Sequence, residues 1–236
     1  MRTASISRGA ILSAVFDAWL RQRKDELLRP LARRILVTSP HTITATALLI
    51  GLAASAMAAT AWYRLALCLW LLNRLLDGLD GLVAREQGRA SDLGGYFDIM
   101  ADFFVYVAVP IGLYLSHPDP DGALSLILML GSFYLNAASW MYLSAVLEKR
   151  NAGAGARGEV TSVTMPAGLI GGFETILFYV AFLIWPEQIA ALFLLMTGLV
   201  LVGIGQRLLW AQRNLSEAAP AERPSTGHRG EGTPPQ

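Results

Sequence analysis

Six stretches of this chain stay apolar for about 20 residues each, the length a helix needs to cross a hydrocarbon core of about 30 Å. They lie near residues 41–61, 64–84, 95–115, 122–147, 163–185 and 188–209, joined by short connections. In lipid each backbone amide must be satisfied within its own segment, so the pattern predicts an all-α, polytopic membrane protein of six transmembrane helices. Pro110 is expected to kink the third segment, and Pro166 falls in the first turn of the fifth. Ahead of them, residues 9–35 place Leu12, Val15, Phe16, Trp19 and Leu20 at helical spacing, followed by Arg21, Arg23, Lys24, Arg33 and Arg34. This predicts an N-terminal juxtamembrane amphipathic helix, broken near Pro30; a soluble helix packed on a second copy of itself would show the same periodicity. The expected division is an N-terminal segment over residues 1–39, a six-helix domain over 40–213, and a disordered tail over 214–236, where Pro220, Pro224, Pro234 and Pro235 stand among small and charged residues.

Composition agrees with the pattern. Of 236 residues, 54% are hydrophobic and 16% charged, which excludes an ordinary soluble domain. A net charge of +1 argues against a nucleic-acid partner. Cys68, the one cysteine, lies inside an apolar segment and can form no intrachain disulfide. The basic residues are unevenly placed. Arg85 and Arg89 follow segment two, Lys149, Arg150 and Arg157 follow segment four, Arg207 and Arg213 end segment six, and eight more precede segment one. The opposite connections hold Asp119, Asp121 and Glu187 against a single cation, Arg64. By the positive-inside rule both termini and the connection after segment two face the cytoplasm, and the expected location is a bacterial inner membrane.

Segments two and three carry acids that a membrane does not ordinarily admit. The stretch reads Asp77-Gly-Leu-Asp80-Gly81-Leu-Val-Ala84-Arg85, then eight residues, Gly94, three residues, Asp98, three residues, Asp102. On helices each acidic pair projects from one face, and a tight turn over 86–94 would bring all four together. Four negative charges in a partly dry cavity need protons or cations. An all-oxygen donor set suits magnesium or manganese with phosphates completing the shell. Gly81 leaves room for a ligand near the backbone, and Arg85, a turn further on, offers a fork of donors suited to phosphate. A cluster neutralised by Arg74 and Arg85 for structure alone would need no such fixed spacing.

This spacing resembles, without gap or substitution, the signature of the CDP-alcohol phosphatidyltransferase family; outside the motif the likeness is weaker and extends over most of residues 35–212. The resemblance implies transfer of a phosphatidyl group from a CDP-linked lipid, such as CDP-diacylglycerol, to a small alcohol, with release of CMP. It also implies two ions, Mg2+ or Mn2+, on Asp77, Asp80, Asp98 and Asp102, with Asp102 as base, and a homodimer embedded among membrane lipids. CDP-lipid contacts are expected from Gly81, Ala84, Arg85 and Ser91. Pro40-His41-Thr42-Ile43-Thr44 stands where family members have Pro, Asn or Asp, then Thr or Ser three residues on; His41 departs from the pattern, and Thr44, which keeps it, is expected to join the CDP-lipid contacts.

The motif is silent on the acceptor. Segments four and five are expected to line its pocket, with Asn136, Ser139 and Glu174. Glu174, read as about ten residues into segment five and so about 15 Å deep, would attract an amino-alcohol or serine, or else bond to a neighbouring helix or pair with Arg74. A phosphorylated polyol would instead need Lys149, Arg150 or Arg157. Two other functions use intramembrane acids. A divalent-cation transporter would spread them over several helices near the midplane. An aspartate-rich prenyltransferase would carry two motifs far apart, not 18 residues apart as from Asp80 to Asp98.

Overall fold

The computed structural model describes residues 26, 28–32, 34, 38–150 and 171–215. Among them there is no strand. Six helices correspond to the six apolar segments: α1 (Pro40–Ala59), α2 (Tyr63–Glu86), α3 (Asp92–Ser116), α4 (Pro120–Lys149), α5 (Gly172–Ile184) and α6 (Ile189–Leu215), the last preceded by a 3-10 turn at Pro186–Gln188. α6 runs two residues past the expected boundary at 213. Four of the helices, α1, α3, α4 and α6, are long and apolar enough to cross a membrane. α2 has the length but carries the acids and arginines, and α5 is described over 13 residues. Residues 163–170 of the fifth segment, Pro166 included, lie outside the described residues.

Local chemistry sets the ends. Pro40 and Pro120 occupy first-turn positions where no amide is needed. Ser91 caps α3 by accepting a bond from the Gly94 amide at 3.2 Å, and Asp119 caps α4 through Gly122 at 3.0 Å.

α1 is the spine of the bundle. It packs closely along both α2 and α3, and α4 pairs with α6. Ala47, Gly51, Ala54 and Ala58 form its buried face, and such small residues let neighbouring backbones approach. α2 and α3 make few close backbone contacts with each other. The acid-bearing helices meet chiefly through α1, on which each rests, and the space between them is a cleft that receives their carboxylates. Beneath it a core of Trp70, Val105, Val109, Tyr179, Phe182 and Phe193 joins α2, α3, α5 and α6. Large apolar side chains such as Leu49, Ile127 and Tyr134 face outward, as a lipid environment allows.

α3 continues through Pro110 to Ser116. The ring leaves the carbonyl of Tyr106, four residues back, without its helical donor. Tyr179 of α5 replaces it, its hydroxyl donating to that carbonyl at 2.5 Å. Near the N-terminus, residues 28–32 are helical across Pro30, so the expected break is not there. Packing explains this: Ala32 is buried and Leu28 packs with it against Leu79, Leu82 and Val83, while Arg29 pairs with Glu86 at 3.2 Å. The apolar residues from Leu12 to Leu20 lie outside the described residues.

Candidate active site

The cleft between α2 and α3 gathers the motif. Asp77 and Asp80 project from α2, Asp98 and Asp102 from α3, and the charge of each acts on at least one acid of the other helix. As they stand, no three acidic, His or Cys side chains among the described residues are drawn close enough to hold an ion. Like charges repel, and Arg74 takes up Asp102 Oδ1 at 2.8 Å and stands 3.8 Å from Asp77 Oδ2. The donor set nevertheless fits a hard divalent ion. All four candidate ligands are carboxylates, and Asp98 Oδ1 is buried without a hydrogen-bond partner, an oxygen that only a cation or donor can satisfy.

Asp80 is the most enclosed of the four, 4% exposed. Thr44 Oγ1 donates to its Oδ2 at 2.6 Å, and the Gly81 amide lies 2.6 Å from its Oδ1. Thr44 thus braces a carboxylate, a contact that the resemblance alone, which put Thr44 beside the CDP lipid, does not give. His41 is exposed at the start of α1, edge-on to Phe97 at 6.2 Å.

On the next turn of α2, Gly81 and Ala84 are half-buried and Arg85 is exposed. A β-carbon at Gly81 would meet only Arg85 Nη1, at 3.4 Å. The packing of the chain does not itself demand glycine there. Ser91 faces solvent at the start of α3, occupied as its cap.

The described acceptor candidates are bonded within the chain. Glu174 is in the first turn of the described α5, its Oε2 accepting from the Gly171 amide at 2.9 Å, not ten residues inside a helix. Asn136 Oδ1 accepts from Arg207 Nη1 at 3.0 Å, and Ser139 Oγ lies 3.4 Å from the same nitrogen. Arg207, one of the cations that end segment six, is 5% exposed, and its Nε is buried without a partner. Arg150 donates to the Leu215 carbonyl at 3.0 Å. Arg157 lies outside the described residues.

Sequence reasoning gave Arg74 only a neutralising role and did not single out Trp70 or Tyr106. The guanidinium lies 4.8 Å from the Trp70 ring centre and 5.0 Å from that of Tyr106. The spacing carried a signal: Trp70, Arg74 and Asp77 share one face of α2, as Asp102 and Tyr106 share one of α3.

A family model described as CDP-alcohol phosphatidyltransferase matches residues 37–204. The inner membrane protein YnjF of Escherichia coli is 36% identical over 155 residues, which cover 64% of this chain and 72% of that protein. A bifunctional IPC transferase and DIPP synthase of Thermococcus kodakarensis is 40% identical over 67 residues, 28% of this chain and 15% of that protein. Among solved structures, Mycobacterium tuberculosis phosphatidylinositol phosphate synthase with CDP-DAG bound shares the fold, with a TM-score of 0.60, 20% identity, and coverage of 76% of this chain and 90% of that one. The same synthase in complex with manganese and citrate gives a TM-score of 0.58 at 22% identity, over 76% and 86% of the two chains. With four membrane-length helices, an inner-membrane relative and the family matched over residues 37–204, this integral membrane protein belongs to the CDP-alcohol phosphatidyltransferase family and is an enzyme of that class.

Proposed function

We propose that the enzyme moves a phosphatidyl group from CDP-diacylglycerol to an alcohol at the cytoplasmic side of a bacterial inner membrane, releasing CMP. The observation that carries this reading is the cleft, where carboxylates of two helices face each other over a buried, unpartnered Asp98 Oδ1. Support comes from a synthase of the same fold with CDP-DAG bound, and from that synthase with manganese. Asp77, Asp80, Asp98 and Asp102 would hold two Mg2+ or Mn2+ ions, whose chemistry is to neutralise the diphosphate and polarise its phosphorus–oxygen bonds. Thr44 keeps Asp80 oriented for that role. Arg85 receives phosphate oxygens, and Gly81 and Ala84 keep the helix face low beneath the nucleotide. Ser91 borders the nucleotide from the start of α3. Asp102 takes the proton of the acceptor hydroxyl as its oxygen bonds to the lipid phosphorus; the bond from that phosphorus to the bridging oxygen breaks, and CMP leaves with the electron pair.

The proposed architecture is six spans over residues 40 to about 215, with both termini cytoplasmic, a membrane-surface N-terminal helix and a homodimer; the tail over residues 216–236 lies outside the described residues.

Arg207 favours a second reading of the acceptor. Glu174 caps a helix, so the residue that suggested an amino-alcohol has another use. Asp102 is ten residues from the start of α3, Ser139 ten from the end of α4 and Arg207 eight from the end of α6; with those ends at one face, as in the proposed topology, each would lie about 12–15 Å below it. A buried guanidinium with an unpartnered Nε at that level suits the phosphate of a phosphorylated polyol.

The test is CMP release and lipid identification with purified enzyme, CDP-diacylglycerol, Mg2+ or Mn2+, and serine, ethanolamine, glycerol phosphate or inositol phosphate in turn. Asp102→Asn should lower turnover by about 100-fold or more while nucleotide binding persists; Asp77→Asn and Asp98→Asn should raise the metal concentration required. Wild-type rates in all three would refute the assignment. Turnover with serine alone, indifferent to Arg207→Gln, would refute the phosphorylated acceptor and leave the reaction class standing.

A further inference from the structure

The reaction proposed above makes no use of Arg74, yet this side chain, 7% exposed, is held from several sides in the cleft. Its Nε donates to Asn73 Oδ1 at 2.8 Å, Nη1 to the Tyr106 hydroxyl at 3.0 Å, and Nη2 to Asp102 Oδ1 at 2.8 Å. The guanidinium lies against the Trp70 and Tyr106 rings, whose faces attract a cation. Each holder is itself fixed. Asn73 donates to the Ala47 carbonyl at 2.7 Å, Trp70 stacks on Tyr179 at 4.6 Å, and Tyr179 bonds the backbone of Tyr106. Residues of α1, α2, α3 and α5 therefore set the place of this cation.

A buried ion pair is a poor source of stability by itself, but an uncompensated buried acid is worse. Arg74 meets one acid from each helix and leaves Asp98 Oδ1 without a partner. We propose that Arg74 is the resident counter-ion of the acid cluster. It compensates Asp77 and Asp102 when no divalent ion is bound, fixes Asp102 through Oδ1, and by its charge weakens ion binding enough to keep it reversible. This rests on the reading of the four acids as metal ligands. Removing Arg74 should then change two properties in opposite senses: the metal-free protein loses stability, while affinity for a divalent cation rises.

The experiment uses the full chain, purified in detergent with Mn2+ throughout, as wild type, Arg74→Gln and Arg74→Lys. Mn2+ affinity is measured by calorimetry after chelation and dialysis, and melting temperature is read with EDTA and with saturating Mn2+. Arg74→Gln should bind Mn2+ about tenfold more tightly, since a fixed positive charge beside the ligands is gone. Its melting temperature should fall by several degrees in EDTA and recover in Mn2+. Arg74→Lys, which keeps the charge without the planar fork, should lie between the two in affinity. An equal loss of stability with and without Mn2+, an Mn2+ affinity unchanged or lowered in Arg74→Gln, or failure of that variant to fold even in Mn2+ would overturn the proposal. Wild type that binds no Mn2+ would overturn the metal reading and this one with it; Mn2+ bound equally by wild type and Arg74→Gln would overturn this one alone.

Discussion

Glycines in this chain serve two opposed purposes, distinguished by what a β-carbon would strike. At Gly51 it would lie 2.5 Å from Val105 Cγ2, so the approach of α3 to α1 requires the smallest residue. At Gly81 it would meet only the side-chain end of Arg85, at 3.4 Å, and glycine in a helix costs about 0.5–1 kcal/mol relative to alanine. A residue that weakens its own helix with no packing reason points to a ligand approaching that face. Gly81→Ala is accordingly expected to hold or raise the melting temperature while raising the KM for CDP-diacylglycerol. A fall in melting temperature with KM unchanged would make Gly81 a packing residue.

Between elements, the cleft exists because α1 receives α2 and α3 on its small-residue face while these two make few close backbone contacts with each other. The α1–α3 contact is tight. Ser55 Oγ donates to the Ala108 carbonyl at 2.6 Å, and a β-carbon at Gly112 would lie 2.3 Å from the Ser55 carbonyl oxygen. A backbone atom cannot rotate away as a side chain does, so Gly112→Ala must part the helices, at a cost of about 1–3 kcal/mol. The expected outcome is a lowered melting temperature, together with reduced turnover, because Asp98 and Asp102 ride on α3. Unchanged thermal unfolding would show that the two helices can separate at no cost. Tyr179 illustrates the same dependence: the carbonyl that Pro110 leaves free on α3 is satisfied by a hydroxyl from α5, so one helix completes another.

For the whole molecule, the proposal places every basic connection on one side of the membrane. In a Cys68→Ser background, Arg89→Cys should be labelled by an impermeant thiol reagent only from the cytoplasmic side and Asp121→Cys only from the opposite one, since α3 and one connection separate them. Background replacement is needed because Cys68 is exposed. Labelling of residue 89 from outside only would reverse the orientation and remove the cleft from cytoplasmic CDP-lipid. The N-terminal segment adds a constraint: Arg29 on Glu86 and Gln87 Nε2 on the Thr38 carbonyl at 3.0 Å tie it to the end of α2 that carries Arg85.

What the sequence by itself determined was local. Apolar runs set where helices form because a backbone in lipid must bond within its own segment, and the helices from Pro40 to Leu215 fall on those runs, four of them long and apolar enough to cross a membrane. The spacing of Asp77 and Asp80, and of Asp98 and Asp102, set which acids share a helix face, since the helical repeat fixes neighbours three and four residues apart. What only the tertiary structure decided is which faces meet. Arg74 reaches Asp102, Thr44 reaches Asp80, Arg207 reaches Asn136 and Tyr179 reaches Tyr106 across separations of 28, 36, 71 and 73 residues. Each of those contacts depends on how one helix is rotated and shifted against another. In a membrane that choice comes from packing, small-residue faces and buried polar bonds, not from any contrast between apolar and polar surface, because lipid accepts an apolar face in any direction. For that reason an arginine, a glutamate and a threonine that read alike along the chain were parted into a clamp, a helix cap and a brace only when the helices came together.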